Sequence, residues 1–64
     1  MTVNGDEREI EPGIDLAGLI ASLDLDFRKV AVERNLAIVP RSRYAITTLA
    51  DGDRIEIVHF IGGG

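Results

Sequence analysis

Cysteine and tryptophan are absent from this 64-residue chain, proline occurs only twice, and histidine and methionine occur once each. Without thiols there is neither a disulfide framework nor a thiolate metal site. Sulfur could not ride on a side chain as a persulfide either. No apolar stretch approaches the roughly 20 residues needed to span a bilayer. The opening residues Met1, Thr2, Val3 and Asn4 lack a basic region followed by an apolar run, so a secretory leader is not expected and the sequence reads as cytoplasmic. Internal repeats, low-complexity linkers and a phosphate-cradling G-x-x-x-x-G-K pattern are also missing. The single histidine, His59, has no carboxylate or nucleophile at a recognisable motif spacing, so catalysis is not expected of it.

What remains is the composition of a small folded domain. Hydrophobic residues make up 45% and charged residues 28%, enough apolar area to offset the entropy of ordering. A chain of this length buries about 60% of its unfolded surface, so one small core is all it can hold. Eleven acids against seven bases give a net charge of -4, which opposes phosphate-backbone binding and favours basic protein partners. Nucleic acid and membrane are not expected as partners.

The order of elements is legible from period and turn chemistry. Val3-Asn4-Gly5 ends a very short extended segment with a strong hairpin signal, and Arg8–Glu11 is the expected return strand before Pro12 and Gly13 break it. Leu16, Leu19, Ile20 and Leu23 recur at spacings of three and four, predicting a helix over 15–23 with Asp15 as its N-cap. Ile14 and Leu19 have the spacing of a hydrophobic staple, while Gly18 weakens the helix by about 1 kcal/mol. Val30 and Val32 alternate with Ala31 and Glu33, and Ile38-Val39 is a shorter run stopped by Pro40. Asn35 lies at the turn between them. The segment 41–48 has no clean period, and Asp51-Gly52-Asp53 is a tight turn feeding a last strand over 54–61. A turn explains these aspartates better than a metal loop, which needs a longer ligand series.

Two hairpins around one helix, followed by a last strand, do not make alternating βαβ units. They predict an α+β domain: a mixed sheet of four to five strands with the helix across one face. The last strand can reach the centre of that sheet and run parallel to the first, because a long connection separates them. This is a β-grasp. Within the last strand Ile55 and Ile57 share a face with His59, and Arg54, Glu56, Val58 and Phe60 share the other. If the first face is core, Val58 and Phe60 reach solvent just before the tail, as candidate docking residues together with Ile61.

The sequence closes on Ile61-Gly62-Gly63-Gly64. Glycines pack nothing and hold no strand, so 62–64 is expected to be a flexible tail on a domain spanning 1–61. At about 3.3 Å per residue it would extend roughly 10 Å and carry a carboxylate into a channel too narrow for side chains. A carboxylate reacts only once its oxygen has become a leaving group, as in an acyl-adenylate. With no cysteine in the chain, sulfur carried by it would sit on the terminal carbonyl of Gly64 as a thiocarboxylate.

Val39-Pro40-Arg41-Ser42-Arg43-Tyr44, Leu49-Ala50-Asp51-Gly52-Asp53-Arg54-Ile55-Glu56-Ile57-Val58 and the final Gly62-Gly63-Gly64 together resemble the ubiquitin-like β-grasp sulfur carriers of thiamine biosynthesis. With Val3-Asn4-Gly5 and Val30-Ala31-Val32-Glu33 the similarity covers nearly the whole chain. The resemblance implies that an enzyme like the ubiquitin-activating enzymes adenylates Gly64 with ATP and magnesium. A cysteine-derived persulfide then supplies sulfur, and thiazole synthase receives it. The chain itself would be a co-substrate and catalyse nothing. Arg41, Arg43 and Tyr44 lie in the one basic, hydroxyl-rich cluster. They are candidate partner contacts, with Tyr44 alternatively a ring that covers the core edge. Asn35-Leu36 departs from the Asn-Gly that many members have there. Leucine resists positive φ, so a type I′ turn is not expected. The rival functions are the small subunit of molybdopterin synthase, which uses the same tail chemistry, a ubiquitin-like protein modifier, and a plain interaction module.

Overall fold

Asn4 and Gly5 both take positive φ, 51° and 85°, and this two-residue loop joins β1 (Thr2–Val3) to β2 (Asp6–Glu7). The computed structural model describes residues 1–60; Ile61, Gly62, Gly63 and Gly64, including the predicted tail and the end of the predicted last strand, lie outside the described residues. So tight a turn pairs Val3 directly with Asp6, and the return strand is therefore Asp6–Glu7, not the expected Arg8–Glu11. Arg8 adds one further bond, from its N–H to the Met1 carbonyl at 2.8 Å, before the chain leaves the sheet.

The helix α1 (Leu16–Ser22) starts where the apolar period predicts, with Asp15 at its N-cap accepting a 2.7 Å hydrogen bond from Gly18 N–H. Leu16, Leu19 and Ile20 are buried, and Leu23 packs partly buried against them. A Cβ at Gly18 would lie 3.1 Å from Ile14 Cγ1 and 3.3 Å from Asp15 Oδ1. The glycine thus weakens the helix in isolation but lets the preceding residue and the cap fold back on it.

After a short 3₁₀ turn at Phe27–Lys29 come β3 (Val30–Arg34) and β4 (Ala37–Val39). A second 3₁₀ helix, Arg41–Ile46, accounts for the stretch without a clean period, and β5 (Arg54–His59) ends the described fold. The five strands run in the order β2-β1-β5-β3-β4, with β5 central, parallel to β1 and antiparallel to β3. This is the α+β, β-grasp arrangement predicted from the element order. The core lies between the helix and the inward positions of the sheet, where Val3, Val32 and Ile55 meet Leu16 and Ile20.

Asn35 and Leu36 correct the expectation for the second hairpin. Their φ values are 53° and 71°, so both central residues are left-handed, as a type I′ turn requires. Pairing of Arg34 with Ala37 leaves only two residues for the loop. Asn35 is then held on three sides: its N–H donates to the Arg54 carbonyl, its Oδ1 accepts from Arg54 N–H, and its Nδ2 donates to Asp53. Leu36, 75% exposed, packs little and absorbs left-handed strain on the order of 1–2 kcal/mol.

Among the described residues no helix is long and apolar enough to cross a membrane.

Candidate functional site

β5 has a hydrogen-bonded neighbour on each side, so it is the most fixed element from which the following residues can leave the sheet. Its inward residues Ile55 and Ile57 are buried, while His59, beyond the edge of the core, is exposed. Phe60 continues the ladder by donating its N–H to the Lys29 carbonyl at 3.0 Å. Phe60, the last described residue, is therefore held by the end of the 3₁₀ turn that leads into β3.

The outward face beside that point is apolar in its upper part and acidic below. Val58 is 62% exposed and pairs with Ala31; Glu56 pairs with Glu33, which in turn faces Ile38, 78% exposed, on β4. These residues line a shallow depression of about 110 Å³. Exposed apolar side chains grouped on a rigid sheet are what a docking partner can cover.

Two polar anchors hold the strand beneath this face. The Asn4 side chain bonds both backbone groups of Ile57. Asp53, 7% exposed, accepts from Ala50 N–H at 2.9 Å, Arg34 Nε at 3.0 Å and Asn35 Nδ2 at 3.1 Å. Burial opposes ionisation of Asp53, but these three donors outweigh it and hold its carboxyl below the ordinary carboxylate range. With both oxygens engaged in joining two turns, Asp53 acts as a structural acid, and among the described residues no group of three or more His, Cys, Asp or Glu could hold a metal.

Of the residues singled out from sequence, Val58 and Phe60 are exposed beside the strand end, and Ile61, Gly62, Gly63 and Gly64 lie outside the described residues. Arg41 and Arg43 are exposed in the 3₁₀ helix, the Arg41 guanidinium donating to the Arg28 carbonyl at 3.1 Å. Of its two readings Tyr44 takes the packed one: it is 4% exposed, set into the core, with its hydroxyl aimed at the Val30 carbonyl at 3.4 Å. A large ring at a small core's edge is drawn inward by its area, and its hydroxyl finds an acceptor there. Burial raises the phenol pKa, against an opposing effect of the Arg41 charge. Alternation along the last strand already puts Glu56 on the outward face with Val58, but the sequence alone does not bring Ala31, Glu33 and Ile38 beside them. Their signal was the register of β3 and β4 against β5, which alternation alone does not give.

Known proteins similar to the chain converge. The ThiS family model matches residues 1–64. A thiazole synthase of Paramagnetospirillum magneticum is 52% identical over 64 residues, all of this chain, which spans only 20% of that relative's length. The sulfur carrier protein ThiS of Bacillus subtilis is 52% identical over 46 residues, 72% of this chain and 70% of that one. The crystal structure of a thiamine biosynthesis protein (ThiS) from Geobacter metallireducens matches with a TM-score of 0.83 at 32% identity, over 98% of this chain and 96% of the other.

Proposed function

The chain belongs to the ThiS family, and we propose that it works as a sulfur carrier in thiamine biosynthesis, with the Gly64 carboxylate as the group that is loaded. The observation that carries this reading is the family match over residues 1–64, which takes in the glycine run along with the folded domain.

In this reading an adenylating enzyme binds magnesium and ATP. A Gly64 carboxylate oxygen attacks the α-phosphate, pyrophosphate leaves, and a mixed anhydride forms with AMP. A cysteine-derived persulfide then attacks the activated carbonyl through its terminal sulfur and expels AMP; reductive cleavage of the sulfur–sulfur bond by a thiol leaves the thiocarboxylate. The carrier contributes position, not acid–base chemistry. β5 fixes where the tail starts, and Val58 with Phe60 supplies an apolar surface beside it that a partner can cover. Thiazole synthase is the proposed recipient, supported by a segment 52% identical to this chain within a protein named thiazole synthase. Dependence on ATP is consistent with work in the cytoplasm.

Deleting Gly63 and Gly64 tests the reading. The shortened chain should melt like the parent yet fail to restore growth without thiamine to cells that lack their own carrier. Full restoration would end the proposal.

A further inference from the structure

Charge is laid unevenly along this acidic chain. From Arg34 through Ala50 there are three arginines, Arg34, Arg41 and Arg43, and no acid; the other residues hold all eleven acids and the remaining four of the seven bases. The fold collects the basic stretch at one sheet edge. β4 is the outermost strand there, and a groove of about 360 Å³ runs beside it, walled by Val39, Arg34, Arg43, Ile46 and Thr48.

This edge is open for pairing. In an antiparallel ladder closed by a two-residue loop, Arg34 with Ala37 and Val32 with Val39 are the bonded pairs, so the N–H and C=O of Ile38 point away from β3. Pro40 keeps the free edge short, which guards against indiscriminate strand addition. The apolar walls are left bare, Ile46 being 70% exposed. Arg34 is already oriented by Asp53 Oδ2 and by the Thr48 carbonyl. Arg43 has no carboxylate partner among the described residues.

We propose that this groove binds an extended acidic segment of a partner protein, which lies along β4, bonds the Ile38 backbone and sets its carboxylates against Arg43 and Arg34. Extended, because the free groups are those of a strand edge; acidic, because Arg43 has no carboxylate partner among the described residues and Arg34 only Asp53; with apolar residues between its acids, because Ile46 and Val39 line the wall. The groove lies beyond β3 and β4 from β5, and although Ile38 also borders the Val58 depression, a partner held here leaves Phe60 uncovered. One protein could then retain the domain while another handles the residues that follow β5. This inference does not depend on the sulfur-carrier reading.

The test is a titration of the full chain, labelled with nitrogen-15, with the capped peptide Glu-Ile-Glu-Val-Glu, followed by amide shifts. Saturable shifts centred on Ile38, Arg43 and Thr48 are expected, and charge reversal by Arg43→Glu should weaken binding by at least about tenfold. Ile38→Glu is a second variant that should also weaken it; spectra of both confirm folding. A Lys-Ile-Lys-Val-Lys peptide should leave the groove unshifted. The proposal is overturned by no shifts, by shifts centred on Val58, by equal binding of the lysine peptide, or by inorganic phosphate reproducing the same shifts at the same concentration, which would reduce the groove to a simple anion site.

Discussion

The carboxamide of Asn4 bonds both backbone groups of Ile57, its Oδ1 accepting from the N–H at 2.7 Å and its Nδ2 donating to the carbonyl at 3.2 Å. The side chain thereby extends the parallel ladder past β1, which is only two residues long, and ties the first turn to the strand from which the glycine run follows. Asn4→Gly keeps the left-handed turn but loses both bonds, and should cost about 1–3 kcal/mol in urea unfolding. Asn4→Asp keeps the acceptor but turns an oxygen toward the Ile57 carbonyl and should cost at least as much. A loss indistinguishable from zero in both would refute the anchoring role.

Asp53 makes stability depend on pH in one direction. Its folded-state pKa lies below the usual carboxylate value, so its contribution is complete above about 3.9 and is lost as pH falls through the lowered folded value. Asp26, held at about 2 first by the Arg28 side-chain bond and then by the Arg28 backbone N–H, changes in the same sense. Melting followed downward from neutral pH should show the parent losing stability through the carboxylate range. Asp53→Asn should start about 1–3 kcal/mol lower and fall less steeply. Parallel curves would contradict the account.

Leu36 offers a stabilising substitution. Leu36→Gly relieves the left-handed strain at φ 71° at the cost of a looser unfolded chain, for a net gain of roughly 0.5–1 kcal/mol. Destabilisation in urea unfolding would mean that the leucine side chain does more than its exposure implies.

The same two hairpins mark how far the sequence was legible. Period and capping located α1 and β5, and chain connectivity put β5 in the centre, because those signals are local or topological. At Asn35-Leu36 the preference of leucine against positive φ is outweighed by three hydrogen bonds from residues distant in sequence. The Asn-Gly pair marks Asn4 as a turn former, yet its amide also serves a strand 53 residues away. Tyr44 stood between two readings that only packing could separate. The outward face needed the register of three strands, which no single segment encodes.

Tyr44 and Phe60 should part company on substitution. Tyr44→Ala removes a buried ring and should cost about 3–5 kcal/mol. Phe60→Ala, at a site 36% exposed, should cost less than about 2 kcal/mol while weakening binding to the adenylating partner. Thermal melts beside pull-down affinities check both. A Phe60 variant that unfolds like the Tyr44 variant would place that ring in the core.

The most direct measurement is the intact mass of the chain after incubation with magnesium ATP, its adenylating enzyme and a cysteine-derived sulfur source, with the modified fragment mapped. The sulfur-carrier account predicts a gain equal to one oxygen replaced by one sulfur, confined to Gly64. An unchanged mass beside a demonstrably active partner enzyme would contradict it.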